Sequence, residues 1–402
     1  MTRKRNGVVF LLLIPMAATW LTAECVDDVP TWITTFGGSR YGAFFDVVRT
    51  DDDTLLAVGT TCHPLTETTC GDVLVAKLTL DGEAIWERRY GGDATDQAFR
   101  VEPASGGGFV VLAETDSYGA GRRDLYVLKI DASGELVWTE TYGGTGIEWA
   151  KDLIALSDGG FLLIGETDSV GESFDAYVVK IDEDGAPVWE TTLGNDEDNE
   201  TGVAALEAPN GDLLVVAGVS YPTGYAGNRR ASRLYRLDPG GQELHSTLYR
   251  GDVKQWANDA VFAPDGNVVI AGIAEPISSA EAPLDFWLAK VHAETGDVIW
   301  SQREGSQYQD DYGVSIAATS DGSYLVAGFG PGLPMLKVED TGTVAWVRNA
   351  VSRRSRVIYG GFSVLDLSDG TFIVPGWVYV ARVDDDFDAV LARIDSEGRI
   401  EE

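Results

Sequence analysis

Short apolar runs alternate with polar turns along most of the chain, and the same succession returns at intervals of 46 to 56 residues. Each copy has a turn glycine and a tryptophan, an aromatic residue followed by two glycines, and an Asp-Gly pair. An apolar run, an aspartate and a second apolar run ending in lysine complete it. A fixed period of this length is typical of repeat architectures. Clear examples stand at 134–144, 156–169 and 174–189.

Each copy contains four runs with the length and composition of β-strands. In one copy these runs lie at 98–103 (strand a), 108–114 (strand b), 124–130 (strand c) and 135–142 (strand d). Strands b are almost continuously apolar, as expected for strands buried on both faces, whereas strands c and d are more mixed. No pattern after residue 30 predicts a helix of ordinary length.

Glycine-containing turns join the predicted strands. Strands a and b are linked by a tight Asp-Gly turn, as at Asp158-Gly159, which is a strong hairpin signal. Strands c and d are linked by Asp-x-x-Gly, as from Asp182 to Gly185. There the aspartate side chain can cap the turn and the glycine can adopt a positive φ. Each copy is therefore expected to form one antiparallel sheet.

A four-stranded sheet cannot bury two apolar faces alone, but seven sheets stacked around an axis can. The sequence therefore predicts an all-β protein, a seven-bladed β-propeller with four antiparallel strands per blade, over residues 31–402. The copies start near residues 32, 86, 138, 189, 245, 300 and 346, with His245 at the fifth marker position. The marker tryptophans, interpreted as packing anchors between blades rather than a carbohydrate platform, are Trp32, Trp86, Trp138, Trp189, Trp300 and Trp346.

The two ends of the repeat region predict how the ring closes. The last copy supplies strands a, b and c and stops at Glu402 without a strand d. The repeat region begins with an isolated run at 31–36 that has the strand d pattern. We expect this N-terminal strand to complete the last blade.

The first 23 residues have the pattern of a secretory signal peptide. Arg3, Lys4 and Arg5 precede an apolar run at 8–21, and a small-residue cleavage site ends at Ala23. The alternative is an uncleaved anchor, although the run is short for a membrane-spanning helix. Residues 24–30 would form a linker. The sequence thus predicts an extracytoplasmic protein, which is secreted, periplasmic or attached to the cell envelope.

Acidic residues dominate the charge, with 64 Asp and Glu against 30 Lys and Arg, for a net charge of −34. Such a chain would be repelled by nucleic acid phosphates and by anionic membrane surfaces. Cys62 and Cys70 lie in one polar segment, and in an oxidising compartment they are predicted to form a disulfide. Two free thiols are the alternative. Cys25 would then be unpaired, and Glu24 before it argues against a lipoprotein.

The repeat resembles those of secreted bacterial β-propellers of the delta-60 and PQQ-like type. Residues 293–300 are similar to the tryptophan-docking motif of PQQ-like blades, and other copies shorten it to Gly-x-x-x-Trp, as at 134–138. The resemblance covers nearly all of 31–402. The resemblance implies the propeller fold. It says less about function, because proteins with such blades range from quinoprotein dehydrogenases to assembly scaffolds.

The sequence excludes several kinds of catalytic site. Only three histidines are present, so a multi-histidine metal site and histidine-based nucleophilic catalysis are disfavoured. No GxSxG, Walker or HExxH motif occurs. The acidic segments 182–185 and 195–200 resemble calcium ligands without the EF-hand spacing, and we interpret them as solvated loops. No cofactor is predicted, and calcium is the open alternative.

Two further sets of residues repeat at fixed positions within the copies. An aspartate precedes strand c, and a lysine or arginine follows five residues later. Because they recur in most copies, we interpret them as structural polar contacts. The aspartates are Asp72, Asp124, Asp175, Asp285 and Asp388.

The long, variable connections are expected on one face, because d–a and b–c links leave the same ends of the strands. They are 60–71, 116–123, 219–232, 274–284 and 348–360, and we call this side the long-loop face. Seven arginines on this face are predicted to bind an anionic partner, and the alternative is that they pair with local acids. They are Arg122, Arg123, Arg229, Arg230, Arg353, Arg354 and Arg356. Five residues at the starts of strands a are expected to line the channel mouth, where they would either hold a cation or cap the strands. They are Asp96, Glu148, Glu200, Gln255 and Asp311.

These observations predict an exported, non-enzymatic propeller that binds a protein, a glycan or an envelope component through the long-loop face. A monomer is expected. The alternative is a propeller enzyme, either a PQQ-like oxidoreductase or a carboxylate-based hydrolase or lyase, with its site at the channel mouth.

Overall fold

The computed structural model of the protein describes residues 31–36, 42–61, 71–171, 173–195, 198–221, 230–250, 253–276, 284–305, 312–329, 332–349, 357–380 and 386–400. Several predictions fall outside these residues. They concern the signal peptide 1–23, the linker 24–30, and the disulfide between Cys62 and Cys70.

The described strands are β1 to β29 in chain order, and four consecutive strands make each of the first six blades. Blade 1 contains β2 (Gly42–Arg49), β3 (Thr54–Thr61), β4 (Asp72–Thr79) and β5 (Ala84–Tyr90). Blade 2 contains β6 (Asp96–Pro103), β7 (Phe109–Thr115), β8 (Asp124–Ile130) and β9 (Leu136–Tyr142). Blade 3 contains β10 (Glu148–Ala155), β11 (Phe161–Thr167), β12 (Asp175–Ile181) and β13 (Pro187–Leu193).

The next three blades repeat this order. Blade 4 contains β14 (Asn199–Glu207), β15 (Leu213–Ser220), β16 (Arg230–Leu237) and β17 (Glu243–Tyr249). Blade 5 contains β18 (Val253–Phe262), β19 (Val268–Pro276), β20 (Asp285–Val291) and β21 (Val298–Glu304). Blade 6 contains β22 (Tyr312–Ala318), β23 (Ser323–Phe329), β24 (Pro334–Glu339) and β25 (Val344–Asn349).

Blade 7 combines both ends of the described chain. Its C-terminal part contains β26 (Val357–Gly360), β27 (Leu365–Asp366), β28 (Thr371–Val380) and β29 (Asp386–Asp395), and its outer strand is β1 (Trp32–Phe36). Strand β1 pairs antiparallel with β29, with Trp32 opposite Arg393 and Phe36 opposite Ala389. The predicted closure by the N-terminal strand is therefore confirmed. The protein is a seven-bladed β-propeller.

The apolar core lies between neighbouring blades rather than within one sheet. In the cluster between blades 1 and 2, Leu56 and Val58 of one blade pack with Val111 and Leu128 of the next, all four fully buried. Because each blade is covered on two sides, strands b are buried on both faces as predicted, and strands c, expected to be more mixed, are almost as buried.

The marker tryptophans of the outer strands d lie against the next blade. The Trp32 indole donates to the Leu80 carbonyl at 2.9 Å. At Gly134, where φ is +83°, an added Cβ would lie 2.9 Å from the Trp86 ring, so only glycine fits beneath the indole. The same contact joins Trp138 to Gly185, Trp189 to Gly241, Trp300 to Gly342 and Trp346 to Gly398.

The face that carries the tight a–b and c–d turns also carries a repeated ion pair. The lysine or arginine near the end of strand c binds the aspartate of the a–b turn in the same blade, with N···O distances of 2.6–2.9 Å in six blades. The repeated cation was predicted to make a structural polar contact, but its partner was not predicted. The pairs are Lys77–Asp52, Lys180–Asp158, Arg236–Asp212, Lys290–Asp265, Lys337–Asp321 and Arg393–Asp369.

Among the described residues, no helix is long and apolar enough to cross a membrane.

Candidate functional site: a funnel in the central channel

The innermost strands a determine which side chains face the channel. Alternation along a strand buries every second residue, so Glu148 and Ala150 point into the blade stack and Trp149 and Lys151 face the channel. Each strand a of the first five blades then carries a β-bulge, and the bulged residue lies at the channel surface. The bulged residues are Phe45, Phe99, Lys151, Val203 and Asn258.

One side of the channel is an aromatic wall, formed by blades 6, 7, 1 and 2. The rings of Phe99 and Phe45 lie 5.2 Å apart, and Phe45 meets Phe362 at 4.8 Å. The ring of Phe329 lies 5.7 Å from the ring of Phe362 and 6.3 Å from the ring of Trp377. These distances are those of ordinary aromatic pairs, so the five rings form one continuous surface.

The opposite side, from blades 3, 4 and 5, is a polar wall. The Lys151 ammonium lies 3.7 Å from the Glu166 carboxylate, and the Thr201 hydroxyl donates to the same carboxylate. The Asn258 amide lies next to them. Arg230 is exposed at the edge, with its guanidinium 5.5 Å from the Trp256 ring.

The two walls enclose two adjoining chambers that share Trp256, Asn258 and Phe362. The inner chamber has a volume of about 350 Å³ and is bordered by Arg100, Lys151 and Glu166. The outer chamber has about 650 Å³ and is bordered by Arg230 and Trp377. We call the two chambers together the funnel. Volumes of this size are typical of small-molecule sites, about 300–1,000 Å³.

The position of the funnel in the ring follows from the strands that line it. Ser220, Phe329 and Glu166 lie at or near the ends of strands b, and Arg230 begins a strand c. These strand ends all belong to the long-loop face. The funnel is therefore the part of the channel that opens toward the long-loop face.

Charged residues just past the bulges form the floor of the funnel. Arg100 Nε lies 3.3 Å from Asp152 Oδ1, and the charges of Asp46 and Asp259 also act on this guanidinium. Each aspartate accepts a backbone N–H of the following blade at 2.9 Å. The floor thus joins neighbouring blades as well as closing the funnel.

Burial in the floor favours protonated carboxyls. It raises the pKa of Asp152 to about 6, with Arg100 opposing the shift. It also raises the pKa values of Asp46 and Asp259. On the same strand as Arg100, burial and the charges of Asp46 and Asp152 raise the pKa of Glu102 to about 8.

The acids expected at the channel mouth lie elsewhere. Asp96, Glu148 and Glu200 are fully buried, because these positions at the start of strand a face the neighbouring blade rather than the channel. They act as caps of the loops: the Ser117 hydroxyl donates to Asp96 at 2.7 Å, and the Ser169 hydroxyl donates to Glu148 at 2.5 Å.

The other residues predicted at the channel mouth have different environments. Glu200 accepts a hydrogen bond from the Tyr235 hydroxyl and lies 3.4 Å from Arg233, and burial raises its pKa. Gln255 is half-buried next to Trp256, and Asp311 lies outside the described residues. A mouth lined by these acids is therefore a prediction that the structure corrects for Asp96, Glu148 and Glu200.

Three of the seven predicted arginines fall in the described part. Arg123 binds Asp116 at 2.7 Å and Glu114 at 3.3 Å, and it stacks on Trp149 at 4.4 Å. Arg122 is exposed, 3.9 Å from Asp168. Of the three, only Arg230 borders the funnel. Those outside the described residues are Arg229, Arg353, Arg354 and Arg356.

The predicted calcium-like segments have turn structure. Asp182 Oδ1 accepts the backbone N–H groups of Asp184 at 3.0 Å and Ala186 at 2.8 Å, which is the capping expected of a c–d turn. The segment 195–200 is described only in part. Within the described residues, no three His, Cys, Asp or Glu side chains are grouped so that they could hold a metal ion.

The aromatic and cationic lining of the funnel was not predicted from the sequence. Lys151 and Trp256 border the chambers, Lys151 as the fourth residue of β10 and Trp256 as the fourth residue of β18. The alternation of strand a carries this information. Those residues differ between copies, however, so a search for repeated motifs passes over them.

Comparison with known proteins agrees on the fold. No protein-family model matches the chain, and no curated protein matches it. Among solved structures, an ulvan lyase of a polysaccharide lyase family is similar with a TM-score of 0.60 and 11% identity, covering 89% of this chain and 95% of that one. Puromycin hydrolase is similar at 0.58 and 16% identity, over 90% of this chain and 53% of the other.

A more distant similarity is to Raptor of Chaetomium thermophilum, with a TM-score of 0.53 and 8% identity, over 89% of this chain and 28% of that one. At these identities the similarities show the propeller fold alone. The specific delta-60 or PQQ-like repeat type has no support from a family model.

Proposed function

We propose that this protein is an exported, non-enzymatic propeller that binds a glycan or another envelope component through the funnel on its long-loop face. The observation that carries the proposal is the two-sided lining, an aromatic wall opposite a wall of hydrogen-bonding and charged groups. A pocket that is mostly apolar with a few convergent polar groups is the usual form of a binding site. The rigid ring holds both walls in place.

The floor supports a binding role. Arg100 borders the inner chamber, and its aspartates hold neighbouring blades together there, so the chamber has a fixed shape for a ligand that enters from the long-loop face. The half-buried Trp256 is held against strand β15, where an added Cβ at Gly218 would lie 2.5 Å from the indole. A fixed aromatic surface loses little conformational entropy when a ligand packs on it.

Hydrogen exchange tests the proposal. Protein beginning at residue 24 is mixed with soluble polysaccharide and surface protein from the envelope of the source organism, and amide protection is measured by mass spectrometry. We expect protection in 148–155 and 253–262, little change in the tight turns, and no chemical change in the bound component. Trp256→Ala should abolish the protection, and His245→Ala, on the outer rim, should retain it. Equal protection in both variants would reject the funnel as the site.

An enzyme with its site in the same funnel is the second candidate. Lys151, Glu166 and Thr201 form a compact group of proton donors and acceptors beside the inner chamber. For a PQQ-like oxidoreductase, the accompanying Ca²⁺ requires about six to eight oxygen ligands. The described residues contain no group of three acidic, His or Cys side chains for it. Addition of PQQ with Ca²⁺ should leave the melting temperature and absorbance unchanged, and a clear shift would favour the enzyme.

A further inference from the structure

Cations are concentrated on the walls of the funnel. The chain carries −34 overall, yet the walls of the two chambers include Lys151 and Arg230 against the single acid Glu166, in addition to Arg100, whose charge is offset by the aspartates of the floor. Since basic residues are scarce in this protein, their concentration at one concave surface favours a ligand of opposite charge.

The three cations differ in what they can contact. Arg100 belongs to the floor, where it binds Asp152 and donates to the Phe99 carbonyl at 3.1 Å. Lys151 is one-third exposed, and its ammonium lies 3.7 Å from Glu166, beyond hydrogen-bond distance. In the described part of the chain, Arg230 has no carboxylate partner and rests over the Trp256 ring. Lys151 and Arg230 are therefore the cations that can bind an anionic ligand.

Each chamber combines one aromatic surface with one of these cations. The inner chamber is bordered by Lys151 and by Phe45 and Phe99, and the outer chamber is bordered by Arg230 and by Phe329 and Trp377. The chambers join at Trp256, Asn258 and Phe362. A repeated pairing of this kind fits a ligand made of two linked units, each with a ring face and an acidic group.

Sugar rings with carboxylates meet these requirements. The C–H groups on one face of a pyranose pack on aromatic rings, and the hydroxyls at its edge need hydrogen-bonding partners such as Thr201, Asn258 and Ser220. A carboxylate on each unit would accept charge-assisted hydrogen bonds from lysine or arginine. Lipid chains would leave the polar wall unpaired, which costs free energy.

We propose that the funnel binds the end of an acidic glycan, with two consecutive uronic acid units in the inner and outer chambers and their carboxylates on Lys151 and Arg230. This inference rests on the proposed function and names the ligand class of the same site.

Matched pairs of polymers test the charge requirement. Short chains of polygalacturonate and alginate, in which every unit is a uronic acid, and the same chains after reduction of their carboxyls to alcohols, are titrated into the protein and followed by calorimetry and tryptophan fluorescence. We expect at least one acidic chain to bind, its reduced form to bind at least about tenfold more weakly, and affinity to fall as salt rises.

Variants locate the charges that matter. Lys151→Ala and Arg230→Ala should each weaken binding of the acidic chain by about tenfold or more, the usual scale for a hydrogen bond to a charged group. Lys151→Arg should retain most of the affinity. The control is Lys129→Ala, the same change of charge on the opposite face, where the ammonium donates to the Glu183 carbonyl at 3.3 Å. It should bind like the parent.

The outcomes separate this inference from the proposed function. Equal binding of acidic and reduced chains would overturn the acidic class and leave the funnel as a site for neutral glycans. Binding that survives both Lys151→Ala and Arg230→Ala would overturn the assigned cations. If no acidic chain binds, or if only a protein partner protects the funnel in hydrogen exchange, the acidic glycan is rejected. Absence of any protection by envelope material would reject the proposed function itself.

Discussion

The two faces of the ring follow different rules. On the tight-turn face, six blades repeat the same ion pair between strand c and the a–b turn, at 2.6–2.9 Å. On the long-loop face, equivalent positions hold different residues: the bulge of strand a is Phe45 in blade 1, Lys151 in blade 3 and Asn258 in blade 5. A contact that stabilises the blade itself recurs in most blades, here in six of the seven. A binding site is needed once, so its residues depart from the repeat.

The same contrast occurs within one strand. A fully buried acid lies at the start of strand a in blades 2, 3 and 4, as Asp96, Glu148 and Glu200, and each accepts a hydrogen bond from a hydroxyl group. The next residue, facing the channel, is Gln97 in blade 2 and Trp149 in blade 3. Repetition along the chain therefore marks the structural side of a strand, and variation marks the side available for function.

The largest expected effect comes from the contact that closes the ring. Deleting residues 31–36 removes strand β1, uncovers β29 and takes Trp32 and Phe36 from the core between blades 7 and 1. Loss of one buried aromatic side chain alone costs about 3–5 kcal/mol. We expect the loss to exceed about 5 kcal/mol and to abolish a single cooperative transition, measured by calorimetry.

Removal of the linker 24–30 alone is the control for that deletion and should leave the transition intact. A chain without 31–36 that melts like the parent would show that the pairing of β1 with β29 contributes little to the ring.

A pair of lysines compares the two faces directly. Lys290 is buried between Asp265 at 2.9 Å and Asp340 at 2.6 Å, whereas Lys151 is one-third exposed in the funnel. Lys290→Ala should lower the free energy of unfolding by about 1–3 kcal/mol, because it removes hydrogen bonds to charged groups. Lys151→Ala should change it by less than about 0.5 kcal/mol, as is usual for surface substitutions.

Urea titrations of both variants measure this difference. If Lys151→Ala proves as destabilising as Lys290→Ala, the separation into a structural face and a functional face is wrong at this position.

The smallest effect concerns pH and the carboxyls whose pKa values are raised by burial. The pKa values of Asp152, Glu114 and Glu102 are raised in the folded protein, to about 6, about 7 and about 8. A carboxyl with a raised folded-state pKa favours folding below its unfolded-state pKa, near 4, and that contribution is lost as pH rises through the folded-state value. The urea midpoint should therefore fall between pH 5 and pH 8.

Glu102→Gln tests the origin of this trend, since an amide keeps the shape and has no charge to bury. The variant should show a shallower fall between pH 5 and pH 8 than the parent protein. A midpoint that rises over this range in the parent would contradict the assignment.

Much of the fold could be predicted because its cause is local and repeated. The Asp-Gly turns, the apolar strands b and the marker tryptophans have the same neighbours in each copy, so the pattern near Trp138 predicts the contact near Trp189. The isolated run at 31–36 also predicted closure of the ring, because it has the strand d pattern and the last copy lacks a strand d. The site was less predictable. Lys151, Glu166 and Thr201 come from two blades and meet only when the blades stack.

The amino-acid sequence by itself determined the number of blades, the order of strands and the strand that closes the ring, because hydrophobic periodicity and turn chemistry act over a few residues. Only the tertiary structure decided that Glu148 is buried while Trp149 faces the channel, that Lys77 binds Asp52, and that five rings from four blades form one wall. Those relations depend on the direction of each side chain and on the stacking angle between sheets, which no single repeat contains.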